Sequence, residues 1–407
     1  MKLKVLRPKR YVAVTLSLIF MFFCTSLTIS QETSSSPAVQ PINQPSQNDE
    51  IISEAIADTV LSEIEVQNKS SERFIRGIHL TTLMIAAPKQ RRAISFLLKT
   101  TELNTIVVDI KETDGRVYIT GAPSADANKT ASNMLINLPT YLKDLKDEGV
   151  YTVARLVVYR DNMIPRIKPS LAVKNPDGTL WRDNNGITWL DPYNEDAQEY
   201  ILQIAERAAD LGFDEIQFDY IRFPSDGNIS KARYSKPHSK AAASKALVSF
   251  LQKANTRLKE KGVNISIDVF GLTTTATDDL GIGQRIGEMA EWVDYISPMV
   301  YPSHYRNGSY GIDFPNKEPY RIVYTAMKGA LTKIPAEKLR PWLQDFTMQG
   351  YPYRKDQVRA QIQACYDNDI GSWLLWNPRC VYTVSALKDD QAENVYEKVS
   401  RKNSSNR

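Results

Sequence analysis

The chain has 407 residues, 42% of them hydrophobic, 24% charged and 9% aromatic. This is ordinary globular composition, sufficient for a large core, and it excludes disorder throughout, a fibrous repeat and a small disulfide scaffold. The formal charge of +4 conceals five cations in the first 30 residues (Lys2, Lys4, Arg7, Lys9 and Arg10), so the remainder carries −1 and offers no electrostatic footprint for nucleic acid.

In chain order, the basic start precedes an apolar run over residues 11–29, the pattern of an export signal. Thr28 and Ser30 suit cleavage after Ser30, while nineteen residues are also long enough to remain as a membrane anchor. Residues 1–30 are therefore expected to send the chain to the periplasm, the exterior or the outer side of the cytoplasmic membrane. Residues 31–71, rich in Ser, Gln, Pro, Asn and Glu, read as a flexible linker with one short helix near 51–66. Residues 72–400 read as one domain, and 401–407 as a polar tail.

Within the domain, β-rich runs fall at 74–81, 105–111, 152–159, 215–219, 264–270, 295–301, 340–344 and 372–377. Helical patterns lie between and after them, near 89–101, 131–148, 195–211, 240–261, 283–291, 320–332, 355–368 and 386–400. Eightfold strand–helix alternation predicts an α/β fold, the (β/α)8 TIM barrel. A doubly wound open sheet would need a Gly-rich phosphate loop, and Gly281-Ile282-Gly283 does not follow a strand. The long irregular stretches 160–194, 223–239 and 302–319 each follow a strand, which puts them on the C-terminal face where barrel enzymes build their sites.

Alternation along the strands selects the residues that face the barrel axis. Ile216 and Phe218 face the helices, leaving Gln217 and Asp219 inward; Ile265, Ile267 and Val269 leave Ser266 and Asp268 inward. The same parity turns Val107, Asp109, Lys111, Val153, Arg155, Val157, Tyr159, Ser297, Met299, Tyr301, Trp342 and Gln344 inward. Asp109, Lys111, Tyr159, Asp219, Asp268, Tyr301 and Gln344 then ring one mouth. Burying such groups is costly, so the ring calls for a ligand, solvent or mutual pairing, for example Lys111 with Asp109 and Arg155 with Asp219.

Two inward carboxylates on neighbouring strand tips suit acid/base or nucleophile/acid work on a glycosidic bond. Metal-dependent hydrolysis is disfavoured, because the three histidines, His79, His238 and His304, share no ligand spacing. No cofactor is implied, and no Gly-x-Ser-x-Gly elbow supports a serine nucleophile. Cys365 and Cys380 fall at opposite ends of the barrel and are expected to stay unbridged. Among the loop aromatics, Trp376 and Tyr301 are the favoured sugar platforms. Asp191-Pro192 reads as a helix N-cap followed by a first-turn proline.

These residues carry a resemblance. Gln217-Phe218-Asp219-Tyr220-Ile221-Arg222-Phe223-Pro224, with Trp189-Leu190-Asp191-Pro192, Leu211-Gly212-Phe213-Asp214, Val108-Asp109-Ile110-Lys111 and Pro341-Trp342-Leu343-Gln344, resembles a bacterial glycoside-hydrolase family with a TIM-barrel domain. That family is distantly similar to the α-amylase and α-galactosidase group. The resemblance implies a nucleophilic Asp ending the fourth strand, here Asp219, and an acid ending the fifth, here Asp268 where the amylase branch has Glu. The amylase Arg two residues before the nucleophile is replaced by Gln217, and the galactosidase acid on strand six by Tyr301.

The sequence thus predicts an exported glycosidase acting on a polysaccharide, a polymer of the cell envelope being one such substrate, with Asp219 and Asp268 catalytic. Arg155 and Arg222 are expected to hold Asp219 ionised, and Asp109, Lys111, Tyr159, Tyr301, Gln344 and Trp376 to contact sugar. The rival is a barrel that binds glycans without cleaving them; a lyase or transglycosylase would use much the same residues.

Overall fold

The computed structural model describes residues 74–135 and 137–387. The export segment 1–30, the linker 31–71 with its helix near 51–66, all but the start of the helix expected over 386–400, and the tail 401–407 lie outside the described residues.

Eight parallel strands close into a barrel in chain order. They are β1 (Arg76–Leu80), β2 (Thr105–Lys111), β3 (Tyr151–Val157), β4 (Glu215–Asp219), β5 (Asn264–Phe270), β6 (Tyr295–Val300), β7 (Trp342–Gln344) and β8 (Trp373–Trp376). The helices that follow them are α1 (Pro88–Thr100), α2 (Leu138–Asp147), α3 (Glu195–Asp210), α4 (Lys240–Lys259), α5 (Ile286–Met289), α6 (Pro319–Ala330) and α7 (Lys355–Tyr366). Each strand was legible as a short β-branched or aromatic run bounded by turn residues.

The expected parity holds through most of the barrel. Ile216, Phe218, Ile265, Ile267 and Val269 join the core between sheet and helices, while Val107, Val153, Trp342 and Leu374 form a second cluster inside the barrel. Inside, Gln217 on β4 donates to Ser297 on β6 at 3.4 Å.

Three boundaries differ from expectation, each for a local reason. Helix α2 starts at Leu138 rather than at 131, because Asn137 takes a left-handed φ of 59° and Pro139 suits only a first turn. The fifth helix is a single turn continued by a 3-10 turn at Ala290–Trp292, after Gly283 with φ 81°. The N-cap of α3 is Asn194, which accepts from Ala197 N–H at 3.0 Å. Asp191 instead ties two loops together, accepting from Tyr193 N–H at 2.9 Å and Ser235 N–H at 2.6 Å. Cys365 and Cys380 are free, as expected.

At the opposite end from the strand tips, Arg340 and Glu215 form a fully buried fork inside the barrel. Ser266 and Tyr151 also donate to Glu215, and the guanidinium lies 4.3 Å from the Tyr295 ring centroid. Removing one partner strands a charge that has no access to water. Arg340→Met should therefore cost about 3–5 kcal/mol in urea unfolding, and adding Glu215→Leu should recover much of that loss.

Candidate active site

The C-terminal tips of the strands converge on a cavity of about 800 Å³, within the ~300–1,000 Å³ span of small-ligand sites. Asp219, Asp268, Arg155, Arg222, Tyr301 and Trp376 all line it. Gly271 forms part of the wall, and a Cβ there would fall 2.5 Å from both the Met299 carbonyl oxygen and the Tyr305 hydroxyl, so only glycine fits.

Arg155, pointing inward from β3, organises the site. Its Nε and Nη2 donate to Asp219 Oδ2 at 3.1 and 2.5 Å, and Nη1 donates to Asp109 Oδ1 at 2.6 Å and Glu112 Oε1 at 3.0 Å. Nε also lies 3.9 Å from Asp268 Oδ2. The Oδ2 atoms of Asp219 and Asp268 therefore share one guanidinium nitrogen and lie no more than about 7 Å apart. That bound admits the ~5–5.5 Å of retaining glycosidases and excludes all but the bottom edge of the ~6.5–9.5 Å inverting range.

The two aspartates have different surroundings. Asp219 receives both Arg155 donors and, at Oδ1, the Tyr220 N–H at 2.6 Å. That last bond comes from the sharp turn after β4, where Tyr220 adopts a φ of 51°, an unusual conformation for an aromatic residue. Asp268 accepts one hydrogen bond, from Trp342 Nε1 at 2.7 Å. Burial and the nearby Asp219 charge push its carboxyl well above the usual carboxylate range, outweighing Arg155.

Behind Arg155, Asp109 Oδ2 meets His79 Nε2 at 2.7 Å. Burial opposes a charged imidazole, but the Asp109 carboxylate more than offsets it and raises His79 to about 9. Burial likewise opposes the Asp109 charge, and His79 with Arg155 holds it well below the ordinary range. Glu112 is raised to about 7 by burial and by Asp109. His79, Asp109 and Glu112 offer ligand atoms within 4.8 Å of one another. Both carboxylates of that trio already bind the Arg155 guanidinium, which supplies the positive charge there.

Four expected sugar contacts are not on the cavity wall. Asp109 is buried between His79 and Arg155, so it positions the latter. A register shift between Asp109 and Lys111 turns the lysine away, and its ammonium pairs with Asp161 at 2.8 Å and the Val157 carbonyl at 2.9 Å, not with Asp109. Strand β3 ends at Val157, so parity no longer governs Tyr159, which packs on Phe250 of α4 with ring centroids 6.0 Å apart. Gln344 spends its amide on loop backbone, accepting from Ser303 N–H at 3.1 Å and donating to the Phe346 carbonyl at 2.9 Å. Arg222 lines the cavity, yet its hydrogen bonds go to the Phe223 carbonyl and Ser225 hydroxyl rather than to Asp219.

Sequence reasoning missed the partners of the expected residues. Trp342 was placed inward, but nothing in a linear pattern announced its donation to Asp268. His79, one of the three histidines without ligand spacing, pairs with Asp109 and stacks on Trp376 with ring centroids 3.9 Å apart.

The His79–Asp109 pair makes stability depend on pH with a defined sign. The folded-state pKa of His79 rises from 6.5 to about 9, so its contribution is complete below pH 6.5 and is lost as pH climbs through about 9. Wild type should lose on the order of 3 kcal/mol relative to His79→Gln across that window, read from urea unfolding at each pH.

No curated protein matches the chain in sequence. Among solved structures, a hypothetical protein from Ruminiclostridium thermocellum ATCC 27405 is 34% identical, with a TM-score of 0.42, over 50% of this chain and 98% of its own. The PgaB (BpsB) glycoside hydrolase domain from Bordetella bronchiseptica is 14% identical, with a TM-score of 0.59, over 80% of this chain and 98% of its own. An α-galactosidase from Lactobacillus brevis is 9% identical, with a TM-score of 0.50, over 81% of this chain and 40% of its own. At those low identities the likeness is one of fold, the TIM barrel. Residues 77–382 match a family profile described as "Putative glycosyl hydrolase domain", and the chain belongs to that glycosidase family.

Proposed function

We propose that the chain is an exported glycoside hydrolase that cleaves a polysaccharide with retention of configuration, with Asp219 as nucleophile and Asp268 as acid/base. The observation that carries the reading is the divergence of two carboxyls beside one guanidinium. Asp219 is an acceptor of three N–H groups, whereas burial and the Asp219 charge keep the proton on Asp268. A carboxyl that keeps its proton beside one held by three N–H donors is the arrangement that separates acid from nucleophile.

In the first step Asp268 gives its proton to the departing glycosidic oxygen while Asp219 attacks the anomeric carbon. A covalent glycosyl ester results. Asp268, now a carboxylate, then takes a proton from water as that water displaces Asp219. Arg155 holds Asp219 aimed throughout. Trp376, partly exposed on the cavity wall, contacts the sugar. Export rests on the basic, apolar start of the sequence.

The two carboxyls should differ in their kinetics. Asp219→Asn should abolish turnover, while Arg155 keeps Asp109 and Glu112 as partners and the barrel still unfolds cooperatively. Asp268→Asn should slow substrates with poor leaving groups by roughly 10²–10⁴-fold and spare activated aryl glycosides, which need no proton. Wild-type kcat/KM should fall on the alkaline side as Asp268 deprotonates. A barrel that only binds glycans would show no turnover in wild type, with binding surviving both substitutions.

A further inference from the structure

Five cationic side chains are buried in the described domain: His79, Lys111, Arg155, Arg222 and Arg340. Four of them grip a carboxylate, His79 on Asp109, Lys111 on Asp161, Arg155 on Asp219 and Asp109, and Arg340 on Glu215. Arg222 has no carboxylate within ion-pair distance among the described residues, although it is only 6% exposed. It lies on the cavity wall that holds Asp219.

The surroundings of Arg222 hold its charge without neutralising it. Its guanidinium carbon lies 4.7 Å from the Phe270 ring centroid, 4.9 Å from Trp189 and 5.0 Å from Tyr220. Ring faces stabilise a cation, but they compensate only part of the lost hydration. Burial accordingly pulls Arg222 down to about 10, still far above neutrality. Nη1 donates to the Phe223 carbonyl at 3.0 Å and to Ser225 Oγ at 3.2 Å. Nε and Nη2 make no hydrogen bond among the described residues. Those two N–H groups form one edge of the planar fork, with the spacing of the two oxygens of a carboxylate. Asp226 shares the wall but accepts from Asn184 N–H at 2.9 Å and makes no ion pair with Arg222.

We propose that the cavity takes an acidic glycan, a polymer containing uronic acids, and that Arg222 receives a sugar carboxylate through Nε and Nη2. This rests on the glycosidase reading and names the substrate class within it. The sugar supplies the one partner that the fold withholds from this cation. A neutral sugar would leave a desolvated charge facing it, so the contact discriminates as well as binds.

The test titrates the full-length chain with oligogalacturonate, alginate oligomers and hyaluronan oligomers, each beside its methyl ester, which removes the charge and keeps the ring. Cellodextrins and chitooligosaccharides serve as neutral probes, and released reducing ends are followed in parallel. At least one acid should bind roughly ten- to hundredfold more tightly than its own ester, and Arg222→Gln should bind the two alike. Equal binding of acid and ester, binding of neutral glycans alone, or an acid preference that survives Arg222→Gln would overturn the inference and leave the glycosidase reading standing. Neither binding nor cleavage of any glycan would overturn both. Should Arg222→Gln fail to fold, the wild-type comparison of acid with ester decides alone.

Discussion

The site depends on the Arg155 guanidinium, a planar cation buried where four strand tips meet. Around it stand four carboxyls, Asp109, Glu112, Asp219 and Asp268, and a second cation, His79. Two positive charges fall short of four negative ones in this largely buried cluster, and protons relieve the difference. They are held unequally. Asp109 and Asp219 take the short contacts with the cations, while Glu112 and Asp268 are pushed up by burial and by the charges beside them. One of the protonated groups faces the cavity across from Asp219, which turns a problem of buried charge into an acid and a nucleophile.

The barrel serves this arrangement by register. Pairing places Asp109 level with Arg155, Arg155 level with Gln217, and Asp219 two residues further toward the mouth. The arginine therefore reaches sideways to Asp109 and up to Asp219, and the cavity above is left for a ligand. Trp342 and Trp376 close the far side, one donating to Asp268 and the other lying 5.0 Å from the Arg155 guanidinium. At the other end of the barrel, Arg340 and Glu215 fill the interior with a fully buried pair. The two arginine sites thus differ in consequence: one is sealed and the other is left adjustable.

Much of this was legible because strand parity is a strict rule while a strand lasts. Ile216, Phe218 and Ile267 had to face the helices, so Asp219 and Asp268 had to face the axis. The rule gave a wrong result where the strand stopped obeying it. Lys111 follows a register shift, and Tyr159 lies two residues past the end of β3, so both leave the ring. Asp109 and Gln344 face inward as expected but bind protein, and alternation says which way a side chain points without saying what it meets. The pairing of His79 with Asp109 joins positions 30 residues apart, and the donation from Trp342 to Asp268 spans 74. The first contact needs β1 laid beside β2, and the second needs β5 and β7 to curve round one interior.

The central claim is that Asp268 keeps its proton because it is buried and because Asp219 stands beside it, and the proton can be observed directly. Carboxyl carbons of aspartate, labelled with 13C in the full-length chain, should include one that remains protonated at neutral pH and disappears in Asp268→Asn. In Asp219→Asn the same carbon should titrate at lower pH, because the charge that held its proton has been removed. An Asp268 carboxyl that titrates in the ordinary carboxylate range, or one whose titration is unmoved by Asp219→Asn, would contradict the account.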